Sequence, residues 1–482
     1  MAELCDLSAV ELRRLIGQKS ISPVELLASC LERIEAVNPA LNAITATCID
    51  RAKAEAKAAE KAVLAGDALG PLHGLPIGIK DLNETGGLKT TWGSPIYKDY
   101  VPEKDERMVA AVRRAGAIVV GKTNVPEFGA GANTNNPVWG PTGNPFDPAR
   151  ICGGSSGGSA VALATSMLPT CTGSDTGGSL RIPAAFCGVV GFRPSAGLVA
   201  TERRPLGWTP ISVQGPMGRS VADTLLLLQA QVSDDSRDPL ATRVDPTDFA
   251  AIAPVDLSRL RVAVTEDFGR IPLDPRIRAT FRERIDFIKN AFKSCEWRHP
   301  DMAEADEAFG IVRALNFLAA HKERYEKHRD KLGPNIVANY EQGLAMSAAD
   351  AARGLLMQTR IYRAFQEFFR DVDLLICPTV SVPPFPVEQR YCAEIDGQKL
   401  PTYYAWLAPT YYLTLPAHPS ISLPCGLEPT GTPFAMQLCG PARKDKFLLD
   451  AAAAVEALLQ RDPRTARPLP DIEKLRSYHR PN

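Results

Sequence analysis

The sequence predicts an α/β fold: one large domain with a central twisted mixed β-sheet covered by helices on both faces. Two observations carry that prediction. Short apolar runs bounded by glycine or proline recur along the chain and read as buried strands, while amphipathic patterns between them read as helices. Strands interleaved with helices imply a parallel or mixed sheet packed between helical layers. No internal repeat interrupts the 482 residues. Residues 1–482 are therefore read as a single domain.

The elements follow in order. Ser22-Pro23-Val24-Glu25 is a capping box with proline at the first helical position, so a helix is expected from Pro23 toward Val37. The alanine- and lysine-rich stretch from Ile49 to Leu64 is a second helix, ended near Gly66. LPIGIKD and AIVVGKTN are strands that each end in a lysine, with helical DERMVAAVRRAG between them. Further strands are LRVAVTED, DLLICP, SISLP and FAMQLCG, and further helices SVADTLLLLQA, MQTRIYRAFQEFF and FLLDAAAAVEALLQ. The prolines from Pro378 to Pro386 make a stiff loop, since strong patterns resume on both sides.

The totals narrow the function. Lysine plus arginine and aspartate plus glutamate each sum to 55, so the formal net charge is zero. That balance gives no footprint for nucleic acid or an anionic membrane. The start, MAELCDLSAVELRR, lacks a basic stretch followed by an apolar one. No apolar run approaches the roughly 20 residues that span a bilayer. The 11 cysteines are scattered without C-x-x-C pairs, which argues against a zinc site or disulfide framework and suits a reducing cytoplasm.

Two motif matches fail on physical grounds. Gly116 to Thr123, GAIVVGKT, fits the P-loop pattern, but its middle residues favour strand over a phosphate-wrapping loop, and Pro126 follows almost at once. Gly153 to Gly158, GGSSGG, fits G-x-S-x-G around Ser155 or Ser156. A nucleophile elbow needs a strand leading in, and NPFDPARIC with its two prolines supplies none. His418 comes late enough to complete such a triad in chain order, but the missing strand weighs against it.

Three other stretches carry unusual requirements together: GLPIGIKD with Lys80, GGSSGGS with Ser155 and Ser156, and GSDTGGS with Ser179. Ser179 has the surroundings of an attacking hydroxyl and no histidine nearby. A lysine can act as its base if burial disfavours the charged form. Lys80 and Lys122 both end apolar strands, so chemistry alone leaves a tie.

These stretches resemble the signature of the amidase signature family of serine hydrolases in wording and order. The likeness runs nearly unbroken from Gly74 through Asp223, taking in VGKTNVPEF, NPFDPARICGGSSGGS, GSDTGGSLRIPAAFCGVVGFRPS and GPMGRSVAD. Residues 74–223 would be the signature core and residues 224–482 the variable, substrate-pocket half. The resemblance implies Ser179 as nucleophile, Ser155 as bridging serine held through a cis peptide, and Lys80 as base, with Lys122 structural. It places an oxyanion hole at Thr176, Gly177, Gly178 and Ser179, with a helix starting after Ser179 to add its dipole. Ser156 would give a supporting hydrogen bond, and Asp175 with Arg181 would brace the loop. The implied chemistry is acyl transfer without metal or organic cofactor.

Other residues have plainer readings. His73 lies in the turn GPLHG, and Cys152 and Cys187 suit small apolar fillers. Trp208, Tyr403, Tyr404, Trp406, Tyr411 and Tyr412 are either pocket wall or core. The expected function is a stand-alone amidase acting on a small carboxylic amide. The alternative is the glutaminase subunit of a tRNA-dependent amidotransferase, from which the segment TERRPLGWTPISVQGP departs. A non-catalytic scaffold would have lost one of Lys80, Ser155 and Ser179. A homodimer is left open.

Overall fold

In the computed structural model, which describes residues 3–478, eleven strands join one sheet. In chain order these are β1 (Ile44–Thr47), β2 (Pro76–Lys80), β3 (Ile118–Thr123), β4 (Thr170–Asp175), β5 (Val190–Arg193), β6 (Val213–Gly218), β7 (Arg261–Val264), β8 (Ser294–Trp297) and β9 (Leu374–Pro378). A separate hairpin of β10 (Glu394–Ile395) and β11 (Gln398–Lys399) precedes the last two, β12 (Ser420–Leu427) and β13 (Pro433–Cys439). The spatial order is β1-β3-β2-β4-β6-β5-β12-β13-β9-β7-β8. Pairing is parallel within β3-β2-β4 and within β9-β7-β8 and antiparallel elsewhere, so the sheet is mixed as expected.

The helices are α1 (Ala9–Gly17), α2 (Pro23–Leu41), α3 (Ile49–Ala65), α4 (Arg107–Arg114), α5 (Gly157–Ala164), α6 (Arg181–Cys187) and α7 (Val221–Gln231) in the first half. The second half adds α8 (Pro275–Ile288), α9 (Ala305–His328), α10 (Pro334–Ala345), α11 (Ala348–Phe368), α12 (Ala408–Thr414), α13 (Asp445–Leu459) and α14 (Ile472–Arg476). Strand alternation sends side chains to both faces. Ile77 and Val119 join one cluster with residues of α1, α4, α7 and α13, while Ile118 and Val120 join another with α2, α3 and α5. In the second half Ala263, Leu375 and Ala435 face α9, α11 and α12. No helix among the described residues is long and apolar enough to cross a membrane.

Two departures from expectation have physical reasons. Helix α2 runs four residues past Val37 with Pro39 inside its last turn. There the missing N–H costs one bond only, and the chain turns at left-handed Asn42 while the Asn38 side chain accepts from the Ala43 and Ile44 N–H groups. Strands β4 and β6, TCTGSD and VQGPMG, were not expected, because small and polar residues give no apolar run. Both are buried all the same, apart from half-buried Ser174 and Gln214, since both lie inside the sheet, β4 between β2 and β6 and β6 between β4 and β5.

Candidate active site

Lys80 closes β2, a strand buried at every residue. β2 pairs in parallel with β3 so that Ile79 lies beside Lys122 and Lys80 beside Thr123. That register puts the two lysines on opposite faces of the sheet. Lys80 Nζ donates to Ser155 Oγ at 2.8 Å, Ser156 Oγ at 2.8 Å and Ser174 Oγ at 2.9 Å. Burial pushes its pKa down to about 7, against the opposing pull of Asp175. An amine with a substantial uncharged fraction near neutrality, ringed by hydroxyls, can accept a proton there.

Lys122 is equally buried but differently occupied. Its Nζ donates to the Asn83 carbonyl and to Thr85 Oγ1, with Asp81 at 4.0 Å. Burial lowers it to about 8, partly offset by Asp81 and Glu106. No serine lies among these partners.

Ser155 and Ser156 occupy the approach to α5. The Gly154–Ser155 peptide is cis, as the resemblance implied. Ser156 Oγ also reaches the Ser174 carbonyl at 3.4 Å, and the Ser156 N–H donates to the Ser179 carbonyl at 3.2 Å. The serine pair is thereby tied to both the end of β4 and the turn that follows it. Ser174 was missed from sequence. It shares a face of β4 with Thr172, which accepts from the Lys80 N–H at 2.9 Å, and no apolar pattern marked that strand in the sequence.

The turn from Asp175 to Arg181 is organised by one carboxylate. Asp175 accepts from the N–H groups of Gly178 (2.9 Å) and Leu180 (3.2 Å) and from Arg181 Nε (3.0 Å). Arg193 Nη1, not singled out from sequence, reaches it at 3.2 Å. Burial would raise this carboxyl, but Arg181 and Arg193 outweigh it and hold it well below the usual range. Asp175 and Arg181 are thus in direct contact across the turn. One donor of the expected oxyanion hole needs correction. The Gly178 N–H is bound by Asp175, which leaves the N–H groups of Thr176, Gly177 and Ser179 without an acceptor among the described residues. Gly178 has φ +122°, and a Cβ there would lie 2.3 Å from Thr410 Oγ1, so the position demands glycine. Thr176 Oγ1 hydrogen bonds Ser212 Oγ at 3.1 Å. The half-buried Ser179 hydroxyl makes no hydrogen bond among the described residues, and α6 begins two residues later.

The remaining candidates sort cleanly. His73 Nε2 meets the Ala59 carbonyl, away from these groups. His418 is buried against Gln366 and the Gly440 carbonyl, and burial lowers it to about 4. Cys152 and Cys187 are buried near α5 and α6. Tyr404, Trp406, Tyr411 and Tyr412 are buried, and Tyr403 is half-buried. Trp208 is 79% exposed, which removes core packing as its role. Phe309 of α9 was not anticipated; its ring packs on Gly177, where a Cβ would lie 2.9 Å from it.

A family model described as Amidase matches residues 25–449. A glutamyl-tRNA(Gln) amidotransferase subunit from Clostridium acetobutylicum is 31% identical over 94% of this chain and 99% of its own length. An acylamidase of Rhodococcus erythropolis is 30% identical over 94% of this chain and 95% of its own. Among solved structures, a bacterial aryl acylamidase of the amidase signature family superposes with a TM-score of 0.88 and 27% identity, covering 95% of this chain and 96% of that one.

Proposed function

Since the chain belongs to the amidase family, an amide-hydrolysing group of enzymes, we propose that it is a stand-alone amidase using Ser179, Ser155 and Lys80 as nucleophile, relay and base. The observation that carries the reading is Lys80 Nζ, buried, lowered to about 7 and 2.8 Å from Ser155 Oγ. A neutral amine has two N–H groups and one lone pair. Three hydroxyls surround it, so Ser156 and Ser174 accept the two N–H groups and the lone pair faces the Ser155 proton.

On binding of an amide carbonyl, the Ser179 hydroxyl turns to Ser155; catalytic hydrogen bonds commonly close only in such a complex. Ser179 Oγ forms a bond to the carbonyl carbon, its proton passes to Ser155, and the Ser155 proton passes to Lys80. The carbonyl π electrons move to oxygen, where the Gly177 and Ser179 N–H groups stabilise the charge. The proton returns through Ser155 to the amine nitrogen as the C–N bond breaks. Water then cleaves the acyl-enzyme with Lys80 again as base.

The likeness to the aryl acylamidase supports a free hydrolase, while the likeness to the amidotransferase protein keeps the glutaminase reading in view. The test is a panel of simple amides with glutamine included, on the purified chain and its Ser179→Ala variant. The wild type is expected to release acid and amine unaided, with an acyl adduct detectable by mass spectrometry and absent from Ser179→Ala. Near-normal turnover by that variant would refute the assignment. Activity confined to glutamine and dependent on added partner proteins would transfer the chain to the alternative.

A further inference from the structure

Arg313, on α9, is a buried cation without an acid. Its relative exposure is 7%, yet no carboxylate pairs with it among the described residues. Other buried guanidiniums do contact an acid: Arg181 and Arg193 share Asp175, and Arg204 pairs with Asp238. Leaving a charge unpaired in such a setting is costly and invites a functional explanation.

The guanidinium is held by neutral groups only. Nε donates to Asn339 Oδ1 at 3.0 Å, and Nη2 donates to the Tyr403 hydroxyl. Four rings enclose it, with Cζ 4.7 Å from the centroid of Phe317, 5.2 Å from Tyr404, 5.6 Å from Tyr403 and 6.0 Å from Phe309. Nη1 alone has no acceptor among the described residues, and it is not sealed from open space. A planar cation fixed by stacking, with one nitrogen free, is pre-organised to receive an oxygen anion.

Its neighbours, rather than the guanidinium itself, link it to the reaction site on two sides. Phe309, one helical turn earlier, packs on Gly177. Phe317 packs with Ala130 and Ile336, which line a cavity of about 250 Å³ together with Asn133 and Asn335. Ala130 follows Gly129, where a Cβ would lie 3.2 Å from Ser155 Oγ. Asn339 joins this wall to the cation by donating to the Asn335 carbonyl at 2.5 Å.

We propose that Arg313 anchors a carboxylate of the substrate, so that the enzyme acts on amides carrying a second, anionic group. The proposal deepens the hydrolase reading and rests on it. One free nitrogen suits a carboxylate better than a phosphate, which calls for several donors. The carboxylate has two sources: the acyl side, as in half-amides of dicarboxylic acids, or the amine side, as in N-acyl amino acids.

Binding without turnover separates this proposal from the catalytic one. The Ser179→Ala protein is titrated calorimetrically with glutaramate against pentanamide, and with N-acetylglycine against N-propylacetamide. The charged member of one pair is expected to bind at least tenfold more tightly, and the pair that discriminates identifies the side. Arg313→Gln on the same background should cut that ratio at least tenfold, with Arg313→Lys recovering part of it. Equal binding within both pairs would overturn the proposal, as would a ratio unchanged in Arg313→Gln. If Arg313→Gln fails to fold, a ratio in Arg313→Lys that equals the parent's overturns it as well, because a point charge cannot reproduce the stacked guanidinium. Hydrolysis persisting in Ser179→Ala would be visible separately and would count against the nucleophile alone.

Discussion

Lys80, the proposed base, and Lys122 show at the residue scale how two similar lysines come to differ. Both are buried strand-end lysines, and both are lowered by desolvation. The difference lies in partners: three hydroxyls for one, a carbonyl, a threonine and a nearby carboxylate for the other. Composition and periodicity could not break that tie, because both strands read alike; the register between β2 and β3 is a tertiary fact. We predict that Lys122→Met lowers stability by about 3 kcal/mol, since it leaves Asp81 buried without its cation. Urea denaturation would read that loss, and the low-pH limb of kcat/KM should stay in place. Loss of that limb would mean that the roles have been assigned the wrong way round. The proposed serines stand out in the sequence because their glycine-rich surroundings are distinctive, whereas Ser174 and Arg193 do not, since each is brought in only through what β4 places beside it.

At the scale of elements, the site depends on close approach of backbones. Gly158 in the first turn of α5 has the Asn124 N and Ala43 O atoms where a Cβ would sit, at 2.2 and 2.5 Å. Both are main-chain atoms and cannot rotate away. Gly158→Ala should therefore force α5 off β1 and β3, costing roughly 1–3 kcal/mol, and should lower kcat more than KM by shifting Ser155 and Ser156. A variant with parental melting temperature and kcat would show that the helix has slack. The same dependence explains why the apolar strands β2, β3, β7, β9, β12 and β13 were readable while β4, β5 and β6 were not. Apolar strands announce themselves by pattern, but these three hold their places by pairing on both sides within the sheet, with small residues that leave room for α5 and α6.

For the whole molecule, the lowered Lys80 is a product of the sheet rather than of any one contact. Flanking strands and helices on both faces keep water from a group that would otherwise carry charge. The architecture was legible in outline, and the extent of the sheet was not, because many of its strand neighbours are far apart in sequence. The account depends most on one ionisation, and the pH dependence of kcat/KM measures it. Lys80 must be unprotonated to accept a proton, so activity should rise through an apparent pKa of about 7 and fall tenfold per unit below it. Asp175 cannot supply that limb, being held ionised far lower. Glu456, raised by burial to about 7, titrates in the same range, but it accepts from the Val221 N–H on α7 and stays intact in a Lys80→Ala control. The expected result is a wild-type limb near 7 and activity reduced by several orders of magnitude in Lys80→Ala. A profile flat down to pH 5, or the same limb surviving in Lys80→Ala, would contradict the account.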